Sequence, residues 1–462
     1  MPTIVAALFI LPLAIPVGAL AGPEDWSDFT NNFATDLAPI IVLFGEQASK
    51  QFLSESTSFW DNIVFGIAPI GIITAVVSAI RLYGSSSLKA FIGRAQEAHG
   101  AVEAELCSST SEDVCELWSN GGICRVFGRP RILEFFHIKN ASIFYPSFEH
   151  RVDTKTPPSC GLYPPQSVLC ADELRRRDGV GTHYPITGWR EIGNKDLYPS
   201  HNDTIDLENP RRSKAFAPHP NLSLNIGITR VKPHFLGMTV VLGTALQLSF
   251  FGYAAWATFY HPELYEIESL PSLWSFCLAI SGTVVLSTGM ICCAVLIERI
   301  SRERRLRDDS QETQMFWLQP GNQRVGDQLF NAFAYSGSLE TYITSWKVNL
   351  EGESKEPGIL RLNEHSFRLW MAIACSICGF IGQFLGLRGL HGSIALYQLG
   401  VTLCMAIARS LLRSGRLGAD KNKLGHSHYR HIEGHELDWQ ATNLERPAKE
   451  FKGWLCLSPV SW

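Results

Sequence analysis

Apolar positions are distributed unevenly along the chain. Five stretches, 62–80, 235–260, 272–297, 369–387 and 389–408, contain no Asp, Glu, Lys or Arg, and each is 19 to 26 residues long. At about 1.5 Å rise per residue, a helix of that length crosses a hydrocarbon core roughly 30 Å thick. The pattern predicts a mostly α, polytopic membrane protein with five transmembrane helices. Pro233 and Pro271 stand just ahead of the second and third stretches, where proline suits a helix start. Trp256, Phe259 and Tyr260 close the second with residue types that prefer the membrane interface. The last two stretches are separated by Arg388 alone and read as a tight helical hairpin. Residues 3–21 are also apolar and end in Ala19-Leu20-Ala21, so 1–21 is either a cleaved signal peptide or a sixth helix.

The basic residues between the stretches set an expected orientation, because Lys and Arg collect on the cytoplasmic side. Segment 22–61 holds one Lys against seven acids, and 261–271 has neither Lys nor Arg. Both are expected away from the cytoplasm. Arg81, Lys89 and Arg94 follow the first stretch, Arg299, Arg302, Arg304, Arg305 and Arg307 follow the third, and Arg409, Arg413 and Arg416 follow the fifth. This places 81–234, 298–368 and the tail 409–462 in the cytoplasm.

The polar segments show weaker periodicities. Leu88, Phe91, Ile92, Ala95, Ala98 and Val102 fall near a 3.6-residue period and predict an amphipathic helix over 88–106. Ser109 to Glu112 has the form of a capping box for a short helix reaching Trp118. Alternation over 222–231 and the run 132–138 predict strands, whereas the proline-rich 151–220 predicts loop with disordered parts. ERISRERRLRDDSQE, from residue 298, reads as a helical extension of the third span. The aromatic residues Phe316, Trp317, Phe330, Phe333, Tyr335, Tyr342 and Trp346 then call for a buried environment, which predicts that 81–234 and 298–368 form one mixed α/β module. Segment 37–44, apolar but too short to cross, suggests an interfacial or re-entrant piece against the first span.

Composition adds little to this picture except exclusions. Charged residues make up 18% of the 462 and the formal net charge is −4, so a nucleic-acid partner is not expected.

The runs 25–39 (DWSDFTNNFATDLAP), 67–81 (IAPIGIITAVVSAIR), 90–96, 105–110 and 122–134, with FWLQPG at 316–321, VGDQLF at 325–330 and YITSW at 342–346, resemble an uncharacterised family of filamentous-fungal multi-pass membrane proteins. Some longer members of that family look to carry ankyrin repeats, and this chain has none. The resemblance implies a fungal membrane protein and brings no activity or catalytic residue with it.

The candidate chemistry is sparse. The five spans contain no Asp, Glu, Lys or Arg but do contain Gln247, Gln383, Gln398, His391 near an end, and a small-residue run of Cys378, Gly382 and Gly386, which fit helix packing with amide hydrogen bonds. Cys375 and Cys378 have CxxC spacing inside a span, without a second pair, and read as buried apolar cysteines. His426, His428, His431 and His435 are weak metal candidates in the tail. The arginines 299, 302, 304, 305, 307, 409, 413 and 416 are weak candidates for anionic lipid. The sequons at Asn140, Asn202 and Asn221, and the cysteines 107, 115, 124, 160 and 170, fall in the segment assigned to the cytoplasm, where neither glycans nor disulfides are expected. No P-loop, GxGxxG or G-x-S-x-G occurs.

The reading is therefore a non-catalytic interaction, scaffold or sensing component, not an enzyme and without a cofactor. It would sit in a secretory-pathway or plasma membrane, with the bilayer, a cytoplasmic protein and a second copy as partners. An oligomeric channel or passive transporter is the alternative.

Overall fold

A computed structural model describes residues 45–142 apart from Thr57, His99, Ser108, Ser109, Glu112, Asn120 and Gly121. It further describes 159–163, 189–191, 219, 221–227, 231–260, 273–308, 313–338, 341–347 and 359–414. Segments 1–44 and 415–462, which hold the signal-like stretch, the 37–44 piece, Arg416 and the four tail histidines, lie outside the described residues.

The chain divides into two compact units. One is built from 1–114, 214–304 and 343–417, the other from 115–213, 305–342 and 418–462. The first unit is helical. Four of its helices are long and apolar enough to cross a membrane: α6 (Pro233–Phe259), α7 (Leu273–Arg299), α8 (Ile359–Arg388, apolar from His365) and α9 (Gly392–Arg413). Four of the five charge-free stretches fall within these helices, apart from at most three residues at an end.

Stretch 62–80 is different, because no single helix runs through it. It is divided between α2 (Phe59–Gly66) and α3 (Ile72–Tyr83), with α1 (Glu46–Ser54) ahead of them and α4 (Ser86–Phe91) and α5 (Ala101–Leu106) behind. The physical reason lies in 67–71. Pro69 lacks an amide hydrogen and disfavours helix at the residue before it. Ala68 takes φ +48° and Gly71 φ +74°, so two residues near that proline adopt left-handed backbone. The amphipathic helix expected over 88–106 is likewise interrupted, becoming α4, turns around Gly93 and then α5.

Helices α7 and α8 run antiparallel with almost no side chain between them. A methyl group added to Gly386 would lie 2.3 Å from Ala279 N, one on Gly379 2.3 Å from Leu286 N, one on Gly282 2.2 Å from Gln383 N, and one on Gly289 2.4 Å from Ser376 N. Backbone thus meets backbone along the pair, the contact that small residues allow in a membrane. Helices α6 and α9 are also antiparallel: Gly243 faces Met405, and the Tyr253 hydroxyl donates to Ser393 Oγ at 3.0 Å.

The second unit is rich in strand. β1 (Val114–Ser119) pairs with β2 (Gly122–Phe127), and β8 (Gln323–Val325) with β9 (Gln328–Phe330). A four-stranded antiparallel sheet has the order β10-β7-β3-β4, comprising Phe333–Ser338, Thr313–Gln319, Leu133–Ser142 and Ser159–Tyr163. Strands from both sides of the α6–α7 pair therefore meet, with Glu134 opposite Trp317 and Leu133 opposite Leu318. A third sheet, whose residues 301–304 and 343–347 are counted in the first unit, has the order β11-β6-β5 (Thr341–Lys347, Ser301–Asp308, Trp189–Glu191).

Three local expectations change here. The capping box near Ser109 leads into strand β1, because Val114, Cys115, Leu117 and Trp118 are all buried, as a strand covered on both faces requires. The helical extension after Arg299 stops at Ile300 and continues as β6. The strand expected over 222–231 is a π-helical turn at Ser223–Gly227, held by Asn225, whose Nδ2 donates to Ile343 O at 2.9 Å while its Oδ1 accepts from Ile343 N at 2.8 Å.

Candidate functional site

The chemistry of the helical unit gathers around the interrupted insert α2–67–71–α3. Asn62, near the start of α2, donates to Glu298 at the C-terminal end of α7. Tyr83, which ends α3, stacks on His365 near the N-terminal end of α8, centroid to centroid 5.7 Å. In the antiparallel α7–α8 pair these are the same end. The middle of the insert lies deeper: a methyl group on Gly66 would meet Ile291 and Ser287 of α7, and one on Gly243 of α6 would meet Ile67. These contacts stand roughly 15 Å along the helices from that end, by helical rise. The insert therefore enters and leaves the bundle at one end.

An interrupted helix leaves carbonyls without helical partners, and such groups are costly where water is scarce. Arg409 on α9 supplies the missing donors. Its Nε donates to Val64 O at 3.1 Å, and its Nη2 to Phe65 O at 3.3 Å, to Ala68 O at 2.9 Å and to Ile67 O. A guanidinium suits this task because its donors are fixed in one plane and its charge complements the negative C-terminal end of α2. From α1, Ser49 Oγ donates to Ile70 O at 2.8 Å.

One turn further along α9, Arg413 closes the mouth of the insert. Its Nη2 lies 3.1 Å from Asp61 Oδ1 and its Nε 3.6 Å from Glu55 Oε2. The guanidinium also lies 4.4 Å above the centre of the Phe52 ring. At the exit, Arg81 Nε donates to both carboxylate oxygens of Glu97 at 3.0 Å, and Arg81 Nη1 donates to Glu105 at 2.6 Å. Lys50 adds a second cation to Glu105 at 3.2 Å. Burial alone pushes the Glu105 carboxyl up, but the hydrogen bonds and charge of Arg81 and Lys50 outweigh it and hold the group below its ordinary value.

The residues singled out in the sequence are not brought together. Gln383 donates to Thr283 Oγ1 at 3.0 Å across the α7–α8 contact, while Gln247 and Gln398 are buried in α6 and α9. Neither polar atom of Gln247 nor Oε1 of Gln398 makes a hydrogen bond among the described residues. Gly382 and Gly386 face α7, not α9, so the small-residue seam joins the third and fourth apolar stretches rather than closing a hairpin of the fourth and fifth. Cys378 is exposed and off that seam; Gly379 and Ser376 stand on it instead.

Arg409 is buried and Arg413 half-buried, and both are engaged within the protein, which leaves them poor lipid candidates. Arg299 and Arg307 are exposed and Arg305 is half-buried, whereas the side chains of Arg302 and Arg304 lie outside the described residues. Asn221 is buried and donates to Ser345 O at 3.2 Å and Ser345 Oγ at 2.6 Å, so the folded chain presents no glycan acceptor there.

In the strand-rich unit, Glu134 accepts from the Tyr342 hydroxyl at 3.3 Å, and its other oxygen is enclosed without a hydrogen bond. Burial pushes its carboxyl up to about 8, the Tyr342 contact only partly opposing this. Burial and the neighbouring carboxyl raise Tyr342 as well. The pair is thus held neutral near pH 7, a state suited to a buried hydrogen bond. Burial also raises the Cys115 thiol to about 12, which removes it as a nucleophile.

The insert was missed in the sequence because its eight-residue first helix and its break share one uninterrupted apolar run. Pro69 followed by Gly71 was the available signal. No protein-family model, curated protein or solved structure matches the chain.

Proposed function

We propose that the chain is a non-catalytic interaction, scaffold or sensing component. Its helical unit would anchor it in a secretory-pathway or plasma membrane, and its strand-rich segments would face the cytoplasm and meet a protein partner there. The observation that supports this reading is the fastening of the insert: Arg409 spends its donors on four backbone carbonyls, and Arg413 is matched by Asp61 and Glu55. Polar groups used on one another in this way suit a fixed anchor better than a moving gate. The basic segments after α7 and α9, and the absence of Lys and Arg from 261–271, support the cytoplasmic placement.

A second reading, an oligomeric channel or passive transporter, draws on a different feature. A helix–break–helix segment that penetrates a bundle is the arrangement used where irregular backbone lines a pathway. The two readings part in a vesicle flux assay on the reconstituted chain. The first predicts no solute or ion flux above that of protein-free vesicles; flux by the wild-type chain would overturn it in favour of the second.

A further inference from the structure

The segment that leaves the insert carries an aromatic side chain that the fold does not use. Phe91, the last residue of α4, is 86% exposed, more than any other large apolar side chain among the described residues. Leu88 and Ile92, one turn apart, pack on the apolar core of the helical unit and hold α4 against the bundle. Those two positions share one helix face; Phe91 stands on one flank of it and Lys89 on the other.

The neighbours of α4 set its level. Tyr83, three residues ahead of α4, stacks on His365, where the apolar part of α8 begins. At the entry of the insert Asn62 bonds Glu298, in the last turn of α7. Phe59 and Trp60 at the start of α2, and Phe367 and Trp370 in the first turns of the apolar part of α8, are exposed at this same end. Aromatic side chains left exposed where apolar helices end fit a membrane–water interface.

Charge points to the kind of lipid. Residues 84–96 contain Lys89, Arg94 and three serines but no acid. Lys89 makes no ion pair among the described residues. The carboxylate nearest Arg94 is that of Glu97, 3.9 Å away and already held by Arg81, and the Arg94 side chain is 49% exposed. An exposed ring beside such cations matches an anionic leaflet, whose headgroups attract the charges while its acyl boundary takes the ring.

From this placement we infer that α4 and the turn after it, residues 86–94, lie in the membrane interface and bind anionic lipid. Phe91 enters the acyl boundary, and Lys89 and Arg94 meet the headgroups. The site is separate from the arginines that follow α7 and α9, and it holds whether the protein is an interaction component or a pore.

The test uses the full chain reconstituted in vesicles of equal parts neutral and anionic lipid, with a photoreactive benzophenone amino acid in place of the exposed Phe91. The same probe in place of Leu278, an exposed side chain on α7, samples the lipid beside the spans. Lipid adducts are expected at both positions. At 278 anionic and neutral adducts follow the mixture, whereas at 91 the anionic adducts exceed the neutral ones about fivefold. The excess at 91 disappears when Lys89→Gln and Arg94→Gln are combined, and adducts at 278 do not change. Cross-linking of position 91 to polypeptide alone, or no adduct there while 278 is labelled, would overturn the inference. So would lipid adducts at 91 in the ratio of the mixture, or an anionic excess that survives the double substitution.

Discussion

Arg409 offers the sharpest perturbation because one side chain satisfies a whole break. Replacing it by alanine leaves the carbonyls of Val64, Phe65, Ile67 and Ala68 without their donors inside the bundle. A hydrogen bond from a charged group contributes on the order of 1.5–3 kcal/mol, and four of them would sum to far more than is realistic. The sum is offset because the variant no longer buries a cation. Breaking a buried charged network by removing one member costs about 3–5 kcal/mol, and that is the expected loss here. For a unit of this size, such a loss corresponds to a fall in melting temperature on the order of 10 °C. Arg409→Lys keeps the charge but not the planar fork of donors, so it should fall between alanine and wild type. Arg388→Ala, at the exposed end of α8, should change stability by no more than about 0.5 kcal/mol. Thermal unfolding of the three variants in one detergent, with hydrogen exchange over 64–72, reads the effect and locates it. If Arg409→Ala melts with the wild type and leaves exchange over 64–72 unchanged, the account of the insert is wrong.

Three further outcomes follow from particular contacts. Gly379→Ala and Gly386→Ala should each destabilise the helical unit by at least about 1–3 kcal/mol, because the new methyl group meets backbone of α7. Gly382→Ala should cost less, its nearest neighbours being 3.5 Å away, and Gly400→Ala, with open space around it, should be neutral; equal melting of all four would contradict the seam. Glu134 is held protonated in the fold up to about pH 8, against an ordinary value of 4.5. The folded chain therefore binds more protons than the unfolded chain between those values, and stability falls as pH rises through that window. The loss should total about 2–4 kcal/mol by pH 9, and Glu134→Gln should remove this dependence, measured as unfolding midpoints from pH 5 to 9. Asn221→Ala should lower the melting temperature while leaving electrophoretic mobility after endoglycosidase unchanged, since its amide is occupied by Ser345.

The long apolar helices were legible because membrane solvation writes itself into composition: a charge-free run of 26 residues, as at 235–260 and 272–297, has few other uses. What composition could not convey was a run of the same character that turns back. At 62–80 the apolar content is set by the surroundings, whereas the path is set by Pro69 and by a donor 345 residues away from Val64. The Gly382–Gly386 spacing announced a close helix contact but not its partner, because a small-residue face is equally smooth to either neighbour. In the strands the failures were of another kind. Buried strands such as Val114–Ser119 lose the alternation that marks them, and the arginine-rich run after α7 carries no periodicity that separates helix from β6. Arg409 and Arg413 look in sequence like topology signals at the end of a span. Only the fold shows that their charge is spent on carbonyls and carboxylates inside the protein.

The measurement closest to the central claim asks on which side of the membrane the two flanks of the insert lie. A short epitope placed after Gly45, after Gly93 or within 261–271 of the full chain can be probed with antibody in sealed vesicles before and after permeabilisation. An insert that enters and leaves at one end predicts equal access for the tags at 45 and 93, and opposite access for the tag within 261–271. Tags at 45 and 93 on opposite sides would make 62–80 a crossing segment and contradict the account.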